Sequence, residues 1–110
     1  MRVDMKKKSI AKDVSLNQVK LRGRISGEKR EKVLPSGDSV VEFRLIVKRD
    51  DDGYDTLDIA VWKAVLRKRA LTLDDQEWVE VIGVIRRRFW NSPGGLSSRW
   101  QVEARELVRL

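Results

Sequence analysis

From Gln18 the chain settles into strict alternation of apolar and polar residues. Val19, Leu21, Gly23 and Ile25 share one side, and Lys20, Arg22 and Arg24 the other. A period of two with one polar side predicts a strand buried on a single face. The sequence Pro35-Ser36-Gly37-Asp38 then reads as a turn, because proline presets one dihedral and glycine accepts positive φ. Beyond it Val41, Phe43, Leu45 and Val47 alternate with Glu42, Arg44, Ile46 and Lys48, which predicts a second strand. Asp50-Asp51-Asp52-Gly53 breaks that pattern. Leu57, Ile59 and Val61 against Asp58, Ala60 and Trp62 restore it as a third strand.

The period changes after Trp62. Residues 63–71 (KAVLRKRAL) contain no glycine or proline and are rich in helix formers, so one short helix is expected, with Asp74-Asp75 as the turn out of it. Val79, Val81, Gly83 and Ile85 mark the inner face of a fourth strand reaching about Trp90. Asn91 to Ser97 reads as a Gly/Pro loop, and Ser98 to Leu110 as a fifth strand with Trp100, Val102 and Ala104 on one face. The order β-β-β-α-β-β predicts an all-β fold: the five-stranded OB-fold barrel with one short helix between strands three and four. Glycines in mid-strand at positions 23 and 83 fit a small barrel that must bend sharply.

A chain of 110 residues is expected to form one core. Residues 17–110 make up that domain. Residues 1–16 show no sustained period, carry Lys6-Lys7-Lys8, and read as a basic, flexible arm in which Val14 and Leu16 begin to pack. No apolar run of signal-peptide or membrane-span length is present. The absence of cysteine fits a reducing compartment, so a soluble, cytoplasmic protein is expected.

Charge narrows the function. Lys and Arg number 24 against 17 Asp and Glu, a net +7, which suits a polyanionic partner. There is no histidine and no cysteine, which removes the commonest general base, the thiol nucleophile and the best nitrogen and sulfur metal ligands. The adjacent Asp50, Asp51 and Asp52 diverge along an extended chain and read as a solvated turn rather than a metal site. Neither an enzyme nor a cofactor is expected.

The candidate site lies on the outward faces. In the run 85–90 (IRRRFW), Arg86, Arg88 and Trp90 share one parity, setting two cations and an indole on one side. Single-stranded nucleic acid calls for this pairing, with cations along the phosphates and aromatic faces for the bases. Lys20, Arg22 and Arg24 on the first strand, with Arg44 and Lys48 on the second, would merge into a basic sheet face. Trp62 either stacks on a base or packs under the helix. Trp78 reads as a packing residue at the helix exit, and Trp100, Phe43 and Phe89 fall at core parity.

These residues carry a resemblance. From Asn17 to Leu110 the chain is similar to the bacterial single-stranded-DNA-binding proteins, through NQVKLRGRI, LPSGDSVVEFRLIV, DTLDIAVW, VEVIGVIRRRFW and SSRWQVEA. The resemblance implies a homo-oligomeric OB-fold, a tetramer or dimer, that wraps single-stranded DNA in replication, repair and recombination at the nucleoid and meets proteins of those processes. It also implies that Trp62 and Trp90 occupy two of the family's base-stacking positions.

The chain departs from the family pattern in five places. Thr56 stands where the family commonly has a tryptophan, and Arg49 or Asp50 where it has another. The loops after strands two and four are short, and the family's acidic, glycine-rich tail is expected to be missing from a chain that stops at Leu110. Two other readings stay open at this point: an OB module of replication restart that mainly holds proteins, with weak DNA binding, and an RNA-binding role, because stacking grooves do not read the 2′-hydroxyl strongly.

Overall fold

The structure is a computed structural model that describes residues 12–110. Most of the expected N-terminal arm, residues 1–11, lies outside the described residues. Residues 12–18 have no regular structure, and Val14 and Leu16 are fully in solvent rather than beginning to pack.

Five strands and one helix follow: β1 (Val19–Val33), β2 (Ser39–Lys48), β3 (Tyr54–Val61), α1 (Ala64–Leu71), β4 (Trp78–Ser92) and β5 (Gly95–Arg109). They close in the order β1-β2-β3-β5-β4 as a barrel. All pairings are antiparallel except β3 with β5, a short parallel seam of Ile59 against Val102 and Ala60 against Glu103. This is the expected all-β, five-stranded barrel with its single helix between the third and fourth strands.

The inward parities meet as predicted. Ile25, Val41, Phe43, Leu45, Ile59, Val61, Val79, Val81, Val102 and Ala104 form one buried cluster. Helix α1 is too short to persist alone. Its Leu66 and Ala70, one turn apart, are buried with Leu73 against the barrel, and Arg69 donates to the Leu107 carbonyl at 2.7 Å. Gly83 stands at a register shift between β4 and β5, where a Cβ would collide with the Glu103 carbonyl oxygen. The barrel closes at that point because there is no side chain.

The turns use the expected chemistry. Gly37 takes φ 93°, and Leu34 and Asp38 close the β1–β2 turn by a 2.8 Å backbone bond. In the β2–β3 turn, the Asp51 carboxylate accepts from Arg49 Nε at 2.9 Å and from the Gly53 amide at 3.2 Å. The acid there serves the turn.

Strand lengths differ from the sequence reading. β1 continues past a bulge at Ser26–Arg30, where Gly27 has φ 77°, and runs on to Val33. Its last residues pair with β2 but expose both faces, so no alternation betrays them. The segment read as the Asn91–Ser97 loop is mostly strand: Asn91 pairs with Leu96 and Ser92 with Gly95, leaving Pro93-Gly94 as the turn. β4 and β5 thus extend beyond the barrel as a two-stranded arm. Three aromatic assignments change. Phe89 and Trp100 are at core parity but lie on this arm, 56% and 61% exposed, and Trp78 is 54% exposed instead of packed at the helix exit.

Candidate nucleic-acid interface

The arm and the outer faces of β1, β2 and β5 enclose one basic groove. Cross-strand pairing sets Arg30 opposite Glu42, Arg44 opposite Asp58, and Arg88 opposite Arg99. Two adjoining depressions share Arg30, Glu42, Arg99 and Gln101. One continues to Arg44 and Asp58, the other to Lys32, Arg88 and Trp90. Five cations therefore line a continuous surface that ends on an indole 45% exposed.

Of the predicted residues, the structure brings Arg44, Arg88 and Trp90 together here. Trp62 follows β3 directly and is half-buried, with the Arg88 guanidinium 4.6 Å from its ring centroid and its carbonyl accepting from Arg67. One face of this indole is thus already occupied by a cation, in an attraction characteristic of Arg and Trp. Arg86 is exposed, lies opposite Gln101, and makes no salt bridge among the described residues.

The first-strand cations lie elsewhere. Lys20 and Arg22 sit where β1 pairs with β4 and both reach Glu80, Arg22 at 2.7 Å. Arg24 lies over the Tyr54 ring at 5.6 Å, and Lys48 is exposed opposite Tyr54. Lys20 and Arg22 fall outside any basic face shared with β2, because they lie where β1 pairs with β4; Arg24, opposite Ile46, is the first residue of β1 beside β2.

Sequence reasoning missed Arg30, Lys32 and Arg99. The first two fall in the stretch of β1 that carries polar residues on both faces. Arg99 lies at outward parity beside Trp100, and only the arm's geometry turns it toward β2.

At the centre of the groove is a carboxylate. Glu42 is 9% exposed and is held by Lys32 Nζ at 2.9 Å, Gln101 Nε2 at 2.7 Å and Arg99 at 3.4 Å. Burial by itself raises its pKa. The bonds from Lys32 and Gln101 and the nearby charges of Lys32 and Arg99 outweigh burial and hold it below the ordinary glutamate value of 4.5. Glu42 therefore anchors the cations around it. A carboxylate with a depressed folded pKa contributes stability above its unfolded pKa, and that contribution disappears as pH falls through the folded value. Melting midpoints measured across pH should fall on acidification below about 4.5. In Glu42→Gln that fall should be shallower, and a profile parallel to the parent's would assign the acid sensitivity to other carboxylates such as Glu77 and Glu80.

Among the described residues no group of His, Cys, Asp and Glu is arranged to hold a metal ion, and no helix is long and apolar enough to cross a membrane.

No protein-family model matches the sequence, and no curated protein matches it significantly. Solved structures do match its fold. The single-stranded-DNA-binding protein of Plasmodium falciparum, solved in complex with single-stranded DNA, superposes with a TM-score of 0.74 at 23% identity, covering 91% of this chain and 99% of that one. The wild-type single-stranded-DNA-binding protein of Thermus aquaticus superposes with a TM-score of 0.68 at 26% identity, covering 86% of this chain. This chain spans 40% of the length of the Thermus protein. Both neighbours share the fold of this chain.

Proposed function

We propose that this chain binds single-stranded DNA without sequence preference, through the basic groove that ends at Trp90. The observation that carries this reading is the joining of Arg30, Lys32, Arg44, Arg88 and Arg99 to an exposed indole on one surface. Cations follow the phosphates, and the ring stacks on whichever base arrives, since every base has a π-face. Both structural neighbours carry the same name for their function, and one was solved with its DNA.

The binding domain is residues 17–110, and its role is to hold DNA rather than transform it. By the family resemblance of its sequence we place it with replication, repair and recombination in the cytoplasm, at the nucleoid, as a homo-oligomer. Val40 and Ile46 share the outward parity of β2, but Val40 is 2% exposed within the single chain and offers no surface for a second copy. The outer side of β4 and β5 offers Trp78 and Val108 instead. Light scattering at micromolar concentration should give a mass above that of one chain.

The test is preference for single strands. A flat ring stacks only on unpaired bases, whereas cations alone hold duplex as well. Dye-labelled oligo-dT should bind more tightly than duplex of equal length at two salt concentrations. Equal affinity would reduce the groove to a general polyanion surface.

A further inference from the structure

The β4–β5 arm has a second face, of which only Phe89 also borders the groove. Beyond Ile85 and Val102 the inward parity of both strands leaves the barrel, and Ile85, Arg87, Phe89 and Trp100 stand in solvent. Arg87 is opposite Trp100, and Phe89 is opposite Ser98. The Arg87 guanidinium lies 5.2 Å from the Phe89 ring centroid and 5.4 Å from that of Trp100, and it donates to Ser98 Oγ at 3.1 and 3.0 Å. A cation is thus fixed between two rings that are each more than half exposed. At the foot of Trp100 lies a depression lined by Leu57, Ile85 and Val102 together with Thr56, Asp58 and Gln101.

We propose that this face is a second base-stacking surface, engaged by the same single strand of DNA once it runs past Trp90 and over the edge of the arm. The inference rests on the function proposed above. Charge selects the occupant. From Ile85 to Trp100 the chain carries four arginines and no acidic residue. Such an arm attracts a polyanion and repels the same arm of a second copy. Planar groups suit the Arg87 ladder, because a base adds to the exposed side of either ring without disturbing the pinned guanidinium. The arm is a ribbon of two strands, with Trp90 and Trp100 on opposite faces and three cross-strand pairs apart along it. A strand crossing the edge of that ribbon meets both faces.

Strand length tests the idea. Dye-labelled oligo-dT of about 8 nucleotides, within the span of one OB-fold, should report the Trp90 groove alone, and oligo-dT of about 30 should reach both faces. Trp100→Ala should leave the short oligomer's affinity unchanged and weaken the long one about 5- to 150-fold, the loss of one stacked base. Phe89→Ser, at a residue that also borders the groove, should weaken the long oligomer more than the short one, and Trp100→Phe should keep most of the long-oligomer affinity. Trp90→Ala, in contrast, should weaken both lengths.

Parent-like binding of the long oligomer by both Trp100→Ala and Phe89→Ser overturns the proposal. A lower mass by light scattering with DNA binding intact would also overturn it, by assigning the face to contact between copies. Failure of the parent to bind either length removes the proposed function and this inference together, whereas loss confined to Trp90→Ala removes this inference alone.

Discussion

Leu45→Ala should destabilise the barrel by about 2–5 kcal/mol, the usual cost of emptying a leucine site in a close-packed core. Leu45 is 0% exposed, is paired with Ile25 on β1 and Leu57 on β3, and faces inward. It also packs where Gly23 has no side chain: a Cβ there would lie 3.0 Å from Leu45 Cγ. The cavity has little freedom to collapse, because β1, β2 and β3 are held in register around it. Thermal melts should show the midpoint lowered by roughly 8–20 °C, at about 4 °C per kcal/mol for a domain near this size. Val33→Ala, at a position 71% exposed, should stay within about 0.5 kcal/mol of the parent. Coincident midpoints for Leu45→Ala and the parent would contradict the core described here.

Trp90→Ala should weaken binding of oligo-dT by about 1–3 kcal/mol, the value of one stacked base, with little change in salt dependence. Arg88→Ala should behave differently. Where the arginine neutralises one phosphate, the slope of log K against log salt should become shallower by about 0.7. Arg88 also covers a face of Trp62. Its removal exposes that ring to a base, so the loss of affinity at low salt is partly offset. One variant shifts the line and the other tilts it. Labelled oligomers and anisotropy at several salt concentrations read both, without depending on indole fluorescence that the substitution itself removes. Unchanged affinity in Trp90→Ala would return this indole to a contact between copies and leave the groove as a row of cations.

Strand alternation, turn residues and the position of the helix were legible along the chain because each is a local consequence of which side chains need burial. Inward parity for Val41, Phe43, Leu45, Ile59, Val79 and Val102 follows from period two alone, and all of them meet in the core. The glycines of strands one and four were readable as places where a small barrel bends sharply. The net charge and the outward Arg88 and Trp90 were enough to suggest the chemistry of the groove.

Parity says which way a side chain points, but not whether anything lies there to cover it. Phe89 and Trp100 have the parity of core residues and remain in solvent, because β4 and β5 outrun the other strands by several residues. That depends on the relative lengths of strands far apart in sequence. The same limit separates Lys20 and Arg22 from the groove and brings Arg30, Lys32 and Arg99 into it. A strand that exchanges β4 for β2 as its neighbour distributes its cations to two different surfaces. The burial of Glu42 is equally non-local, since its cover comes from β1 and β5. Local chemistry determined the strands, their inward faces and the kind of partner they suit. Closure of the barrel decided which residues share a surface, because only closure sets which strands lie side by side and where each outlasts its neighbours.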